Sequence, residues 1–149
     1  MNEREFVDQC FSNKLHGVPD TISSLMNIVD DISYLLTTPG LINLTREDIK
    51  GIADASKHLL GISAEAKGRY RAEMVGHELV SQYSRAFNTK ADSVIFNVIG
   101  SSDLTLYEVN EIAEQIYRVV DSKANIIFGA IVDENKKDYI KTTVILGNN

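Results

Sequence analysis

The chain has 149 residues, 44% of them apolar and 24% charged, with a net charge of −6, two prolines and one cysteine. That length and balance describe one globular domain with a single core and exclude a disordered chain. An acidic chain without a basic cluster is a poor nucleic-acid partner, and the lone Cys10 excludes an intrachain disulfide or a cysteine-rich zinc site. No apolar run reaches the ~18 residues of a membrane span, and MNEREFVDQC is not a secretory leader, so the expectation is no membrane and a cytoplasmic location.

Phe6, Val7, Cys10 and Phe11 are spaced for a short helix, broken by Gly17 and Pro19; Cys10 reads as a buried or half-buried small hydrophobe. Asp20 is placed to cap a second helix in which Ile22, Leu25, Met26, Val29, Ile32, Leu35 and Leu36 follow the 3.6 period. Ser23, Ser24, Asn27, Asp30 and Asp31 form its polar side, and the adjacent aspartates read as solvated charge. TTPG at 37–40 ends this helix, and Leu41, Ile42, Asn43 and Leu44 follow as a loop. Thr45, with Asp48 three residues on, starts a helix over 47–60 that turns Ile49, Ile52, Ala53, Leu59 and Leu60 to one side.

Residues 64–68 read as a connector, and a helix near 69–85 buries Ala72, Val75, Gly76, Leu79, Val80 and Tyr83. Gly76 there costs roughly 1 kcal/mol against alanine, which marks a close packing contact. His77 points away from that stripe and reads as solvated. After a loop at 88–90, residues 93–99 (SVIFNVI) form a strand closed by Gly100, with Asn97 as a buried polar group in need of a partner.

The strongest pattern lies at 100–135. Thr105 and Glu108 make a capping box, and Leu106, Val109, Ile112, Ala113, Ile116, Val119 and Val120 follow at helical spacing. Glu108, Glu111 and Glu114 step along the helix side by threes, as a solvated stripe or, less in keeping with their charge, a contact surface. NIIFGAIV at 125–132 has no polar alternation, as expected of a strand covered on both faces. A polar turn at 134–138 leads to a last strand over 139–146, with Ile140 inward and Lys141 outward.

The run DLTLYEVNEIAEQIYRVVDSKANIIFGAIVDEN, above all residues 103–110 and ANIIFGA at 124–130, resembles the C-terminal domain of the bacterial tubulin homologue FtsZ. TTPGLINL at 37–44 resembles the start of the FtsZ catalytic loop, and Gly68 with Arg71-Ala72 resembles the family's Gly-x-x-Arg-Ala lead-in to a helix, preceded by an altered small-residue pattern. The resemblance spans about residues 25–147 and implies an α/β fold: a small four-stranded mixed sheet packed by helices, one strand opening at HLLGIS, after a long connecting helix. The chain then divides into an N-terminal extension (1–18), the connecting helix (19–38) and the FtsZ C-terminal-like domain (39–149).

The FtsZ loop continues as Asn-x-Asp-Phe-x-Asp; here Asn43 and Asp48 are kept, while Thr45 replaces the first acid and Arg46 the aromatic. In the family this loop reaches the GTP of the next subunit, and its acids position the attacking water. The resemblance therefore makes Asp48 and Asn43 candidate catalytic residues, weakened by the lost acid because phosphoryl transfer depends on positioning and electrostatics. Helix capping explains Thr45 and Asp48 equally well. The implied docking face comprises Pro39, Gly40, Leu41, Ile42, Asn43, Thr45, Arg46, Glu47 and Asp48, together with Leu104, Tyr107 and Asn110. The family's polar pair for guanine falls near Ile22 and Ser23, so that contact is expected to be missing.

No GGGTGTG-type or GxxxxGK[ST] phosphate loop is present, and His16, His58 and His77 are scattered without metal spacing. The chain alone is expected to hold no cofactor or metal and to hydrolyse no GTP; GTP belongs to the neighbouring subunit. The FtsZ linker and tail peptide are also absent from these residues. Three functions follow. One is the filament-interface, GTPase-activating domain of an FtsZ-like cell-division protein, docked head-to-tail on another subunit. The second is a stand-alone module that caps or regulates FtsZ filaments, since a head-to-tail contact with one face removed cannot propagate. The third is a small-molecule-binding or enzymatic α/β domain that shares only the architecture.

Overall fold

Alternation along the strands builds a core on each face of one sheet. In strand β3 (Ser93–Gly100), Val94, Phe96 and Val98 point to one side and Ile95 to the other; in β5 (Tyr139–Asn148), Val144 and Leu146 oppose Ile145. The computed structural model describes every residue except 19, 88 and 149. The break expected at Pro19, the first residue of the 88–90 loop and the terminal Asn149 lie outside the described residues.

The remaining elements are α1 (Glu3–Phe11), β1 (Leu15–Gly17), α2 (Ile22–Thr37), α3 (Arg46–Ala55), β2 (His58–Lys67), α4 (Arg71–Ala86), α5 (Leu106–Val119) and β4 (Asn125–Val132). The sheet has five strands in the order β1-β2-β5-β3-β4, one more than the four expected. The extra strand is β1, three residues that pair parallel with Leu59, Leu60 and Gly61 and carry too little pattern to be seen alone. Strands β1 to β4 run the same way and β5 runs against them. Helices α4 and α5 cover one face; α1, α2 and α3 cover the other.

Helix α2 crosses the sheet strand by strand. Ile28 sits on Gly61 of β2, where an added Cβ would lie 2.5 Å from Ile28 Cδ1, and Leu35 sits on Gly129 of β4, where it would lie 2.6 Å from Leu35 Cδ2. Between them Asp31 Oδ2 accepts from Thr143 Oγ1 at 2.8 Å and meets Lys141 Nζ at 3.0 Å, while the Asp31 carbonyl accepts from Asn97 Nδ2 at 3.1 Å. Asp31 is thus a helix-to-sheet link and not solvated charge, because it lies three residues from Ile28 on the buried stripe. The bond to the Asp31 carbonyl gives the Asn97 amide nitrogen its partner, while Asn97 Oδ1 is buried with no hydrogen bond to the described residues.

Other expectations shift by local chemistry. Thr21, not Asp20, caps α2, its hydroxyl accepting from Ser24 N at 3.1 Å, while Asp20 turns back to Gly17 N. The helix expected over 47–60 stops at Ala55, and Leu59 and Leu60 enter β2 opposite Gly147 and Leu146. Residues 64–67, expected as a connector, continue β2 to Lys67, and Gly68 at φ +98° makes the turn. Gly76 does mark a close contact, since a Cβ there would meet Gln115 Nε2 of α5 at 2.3 Å. Ile22, Met26 and Leu106, placed on apolar stripes, are exposed.

Candidate functional site

The carboxyl ends of β2, β3 and β4 lie at one edge of the sheet, which in open α/β sheets is where sites collect. The loop between α2 and α3 is fastened beside it. Leu41 N and Ile42 N both donate to the Ala130 carbonyl, at 2.8 and 3.2 Å, and Ala130 N donates to the Ile42 carbonyl at 3.0 Å. The loop thereby pairs Ala130 on the outer edge of β4 through one antiparallel bridge. An added Cβ on Gly40 would come within 2.3 Å of the Ala130 oxygen, so only glycine fits this approach.

Asn43 closes the loop on itself: its Oδ1 accepts from Gly40 N at 2.9 Å and its Nδ2 donates to the Gly40 carbonyl at 3.4 Å. Thr45 and Asp48 form a full capping box, Asp48 N donating to Thr45 Oγ1 at 3.2 Å and Thr45 N donating to Asp48 Oδ2 at 2.9 Å. Asp48 Oδ1 makes no hydrogen bond to the described residues, and Asn43, Thr45 and Glu47 are exposed. Arg46 turns the other way. Its Nε donates to Glu3 Oε2 at 2.8 Å, its Nη2 to Glu3 Oε1 and, at 3.0 Å, to the Met1 carbonyl, and it stacks over Phe6.

A buried cationic cluster holds the start of α5 at the same sheet edge. Arg71, with 6% of its side chain exposed, donates through Nε and Nη2 to Glu108 at 2.8 and 2.9 Å and through Nη1 to Ser101 and Asp103, each at 3.1 Å. Asp138 lies 3.6 Å away. Glu108 Oε1 also accepts from Thr105 N at 3.2 Å, completing the second capping box. The Arg71 guanidinium, above all, holds the Glu108 carboxyl below its ordinary range against the opposing effect of burial. Asp103 is lowered first by the Ser101 hydroxyl and then by Arg71. Glu108 is therefore part of this cluster and not of a solvated stripe.

Of the residues expected at the docking face, Leu104 is buried under the helix start and Ile42 packs against the same core. Tyr107 is 77% exposed, Leu41 50% exposed, and Asn110 is exposed with its amide on Glu114. Pro39 and Gly40 carry the chain from α2 onto β4. Leu106 (59% exposed), Tyr70 and Met74 were not expected here, yet they add apolar surface around the α4 and α5 starts. Arg71 was the clearest signal passed over, a cation four residues before Val75 on an apolar stripe, where burial demands a partner.

The glycines are spread over the fold. Gly61, Gly129 and Gly147 lie inside strands, Gly51 and Gly76 inside helices, and no described loop gathers successive glycine amides. Among the described residues no three His, Cys, Asp or Glu side chains group as a metal site, and no helix is long and apolar enough to cross a membrane.

The model of the FtsZ family, C-terminal domain, matches residues 57–148. The chain belongs to the FtsZ family. It superimposes on FtsZ of M. jannaschii, a W319Y mutant, with a TM-score of 0.77 and 26% identity over 88% of this chain and 39% of that one. An empty FtsZ dimer from the same organism gives 0.75 and 22%, covering 97% of this chain and 43% of that one. TubZ from Bacillus thuringiensis serovar israelensis, in GDP-form protofilaments, shares the fold at a TM-score of 0.60 and 12% identity, over 82% and 34%. The chain thus spans about two fifths of the length of the FtsZ chains it matches. The α/β C-terminal fold of FtsZ is the architecture found here, with five strands where four were expected.

Proposed function

We propose that this domain presents residues 39–48 to the GTP site of a neighbouring FtsZ-family subunit, in a head-to-tail contact that completes the hydrolytic site. The observation that carries the reading is the loop itself, bonded to the edge of β4, closed by Asn43 and ended by a cap that leaves Asp48 Oδ1 free. A fixed anionic oxygen can accept a proton-side contact from water and orient it toward a phosphoryl group. Asn43 acts by keeping the loop closed; its side chain is spent on Gly40. Leu41, Leu106, Tyr107 and Asn110 supply the surrounding contact surface. The similar M. jannaschii chain is a dimer in one structure, and TubZ forms protofilaments, so the fold supports self-association elsewhere.

A second role applies when these residues act without a nucleotide domain: ending a filament by occupying its nucleotide face. Titrating the chain into polymerising M. jannaschii FtsZ tests both. Pelleted polymer should fall with dose, and Leu41→Glu or Tyr107→Glu should blunt the effect. Unchanged pelleting at large molar excess overturns docking; polymer loss with hydrolysis retained per bound subunit supports the completed site, and loss of both supports capping alone.

A further inference from the structure

Helix α3, whose cap ends the loop, is gripped at both ends by residues that precede α2. Arg46 is the first residue of α3, where a cation meets the positive end of the helix dipole and is locally unfavourable. It is nevertheless held there in a forked pair with Glu3, over the Phe6 ring and against the Met1 carbonyl. At the other end Lys14 Nζ donates at 2.6 Å to the Ala53 carbonyl, which also accepts from Ser56 N, at the helix end where a cation is favourable. Between the two grips α1 packs on α2 and α3, adding Val7 and Phe11 to their core, with Arg4 paired to Asp30 of α2 at 2.5 Å. Beyond Lys14, β1 anchors the segment to the sheet.

We propose that residues 1–17 form a clamp that positions the docking loop, with Glu3 and Lys14 as its positioning residues. This rests, for its functional consequence, on the reading of the loop above; the mechanical part stands on the chain alone. Holding α3 at both ends fixes the direction of its cap, and hence of the Asp48 carboxylate and the residues closed by Asn43. Release of α1 would leave the sheet and the Arg71 cluster intact while loosening the loop.

Amide hydrogen exchange on the 149-residue chain, wild type against Glu3→Gln and Lys14→Met, tests the mechanical part without any FtsZ. Exposed ion pairs of this kind hold roughly two- to five-fold in equilibrium, so Glu3→Gln should speed exchange at Asp48 and Ile49 by about that factor. Lys14→Met should act at the Ala53 end of α3, and the β3 and β4 amides should be unchanged. The reversed pair Glu3→Arg with Arg46→Glu should restore slow exchange. Unaltered rates at Asp48 and Ile49, or equal acceleration across the whole chain, overturn the clamp. Pelleting assays then separate the two claims. A wild-type chain without effect on FtsZ sinks the docking reading alone, whereas an active wild type matched by Glu3→Gln sinks the functional consequence of the clamp.

Discussion

Thr45 and Thr105 open helices with the same device, a threonine whose hydroxyl takes the amide of an acid three residues on, while that acid takes the threonine amide. The two acids then diverge. Glu108 has 16% of its side chain exposed and both oxygens engaged by Arg71, so its charge is consumed inside the fold. Asp48 uses one oxygen for the cap, meets no cation among the described residues and keeps the other oxygen free. Identical local chemistry therefore serves stability at one helix start and leaves a charge available for a partner at the other. Which role a cap plays is decided by what the rest of the chain brings to it.

Removing the cation should separate them most. Arg71→Met leaves the Glu108 carboxylate in the fold without its cation and should cost about 3–5 kcal/mol in denaturant unfolding, whereas Arg46→Met, at a half-exposed pair, should cost far less. The cluster also sets a pH limb. Glu108 is lowered on folding, so its stabilisation is complete above the ordinary value of 4.5 and is lost as pH falls through the lowered value. Stability measured from pH 6 into that acid range should drop in the wild type and flatten in Arg71→Met.

A smaller loss is expected at the loop's hinge. Gly40→Ala places a methyl group against the Ala130 carbonyl and should cost about 1–3 kcal/mol, with faster exchange at the Ala130 amide and little change at the start of α5. Thr45→Ala and Thr105→Ala should each lose about 1 kcal/mol in thermal unfolding, since each leaves one helix amide without its acceptor. A much larger loss for Thr45 would mean the loop carries more of the fold than its exposure implies.

What could be read from the residues followed from short-range rules. Both capping boxes, the strand at 125–132 and the close contact at Gly76 were legible because spacing along the chain defines them. Strand β1 was not, since three residues gain meaning only by pairing with β2 across more than forty positions. Asp31 looked solvated because its partners Thr143 and Lys141 lie over a hundred residues away. Arg46 and Glu3 are likewise remote in sequence, and only the packing of α1 on α3 joins them. The loop's likeness to FtsZ was visible in TTPGLINL, but its fastening to Ala130 needed the sheet order.

Asp48→Asn is the gentlest change and the most direct test. It keeps the cap acceptor and should shift stability by no more than about 0.5 kcal/mol, yet it removes the charge proposed to act on a neighbour's GTP. The measurement is GTP hydrolysis by M. jannaschii FtsZ with wild-type or Asp48→Asn chain bound to equal occupancy. A several-fold slower hydrolysis with the variant, at unchanged binding, is the predicted result. Equal rates at equal occupancy would contradict it, and would leave Asp48 as a helix cap and nothing more.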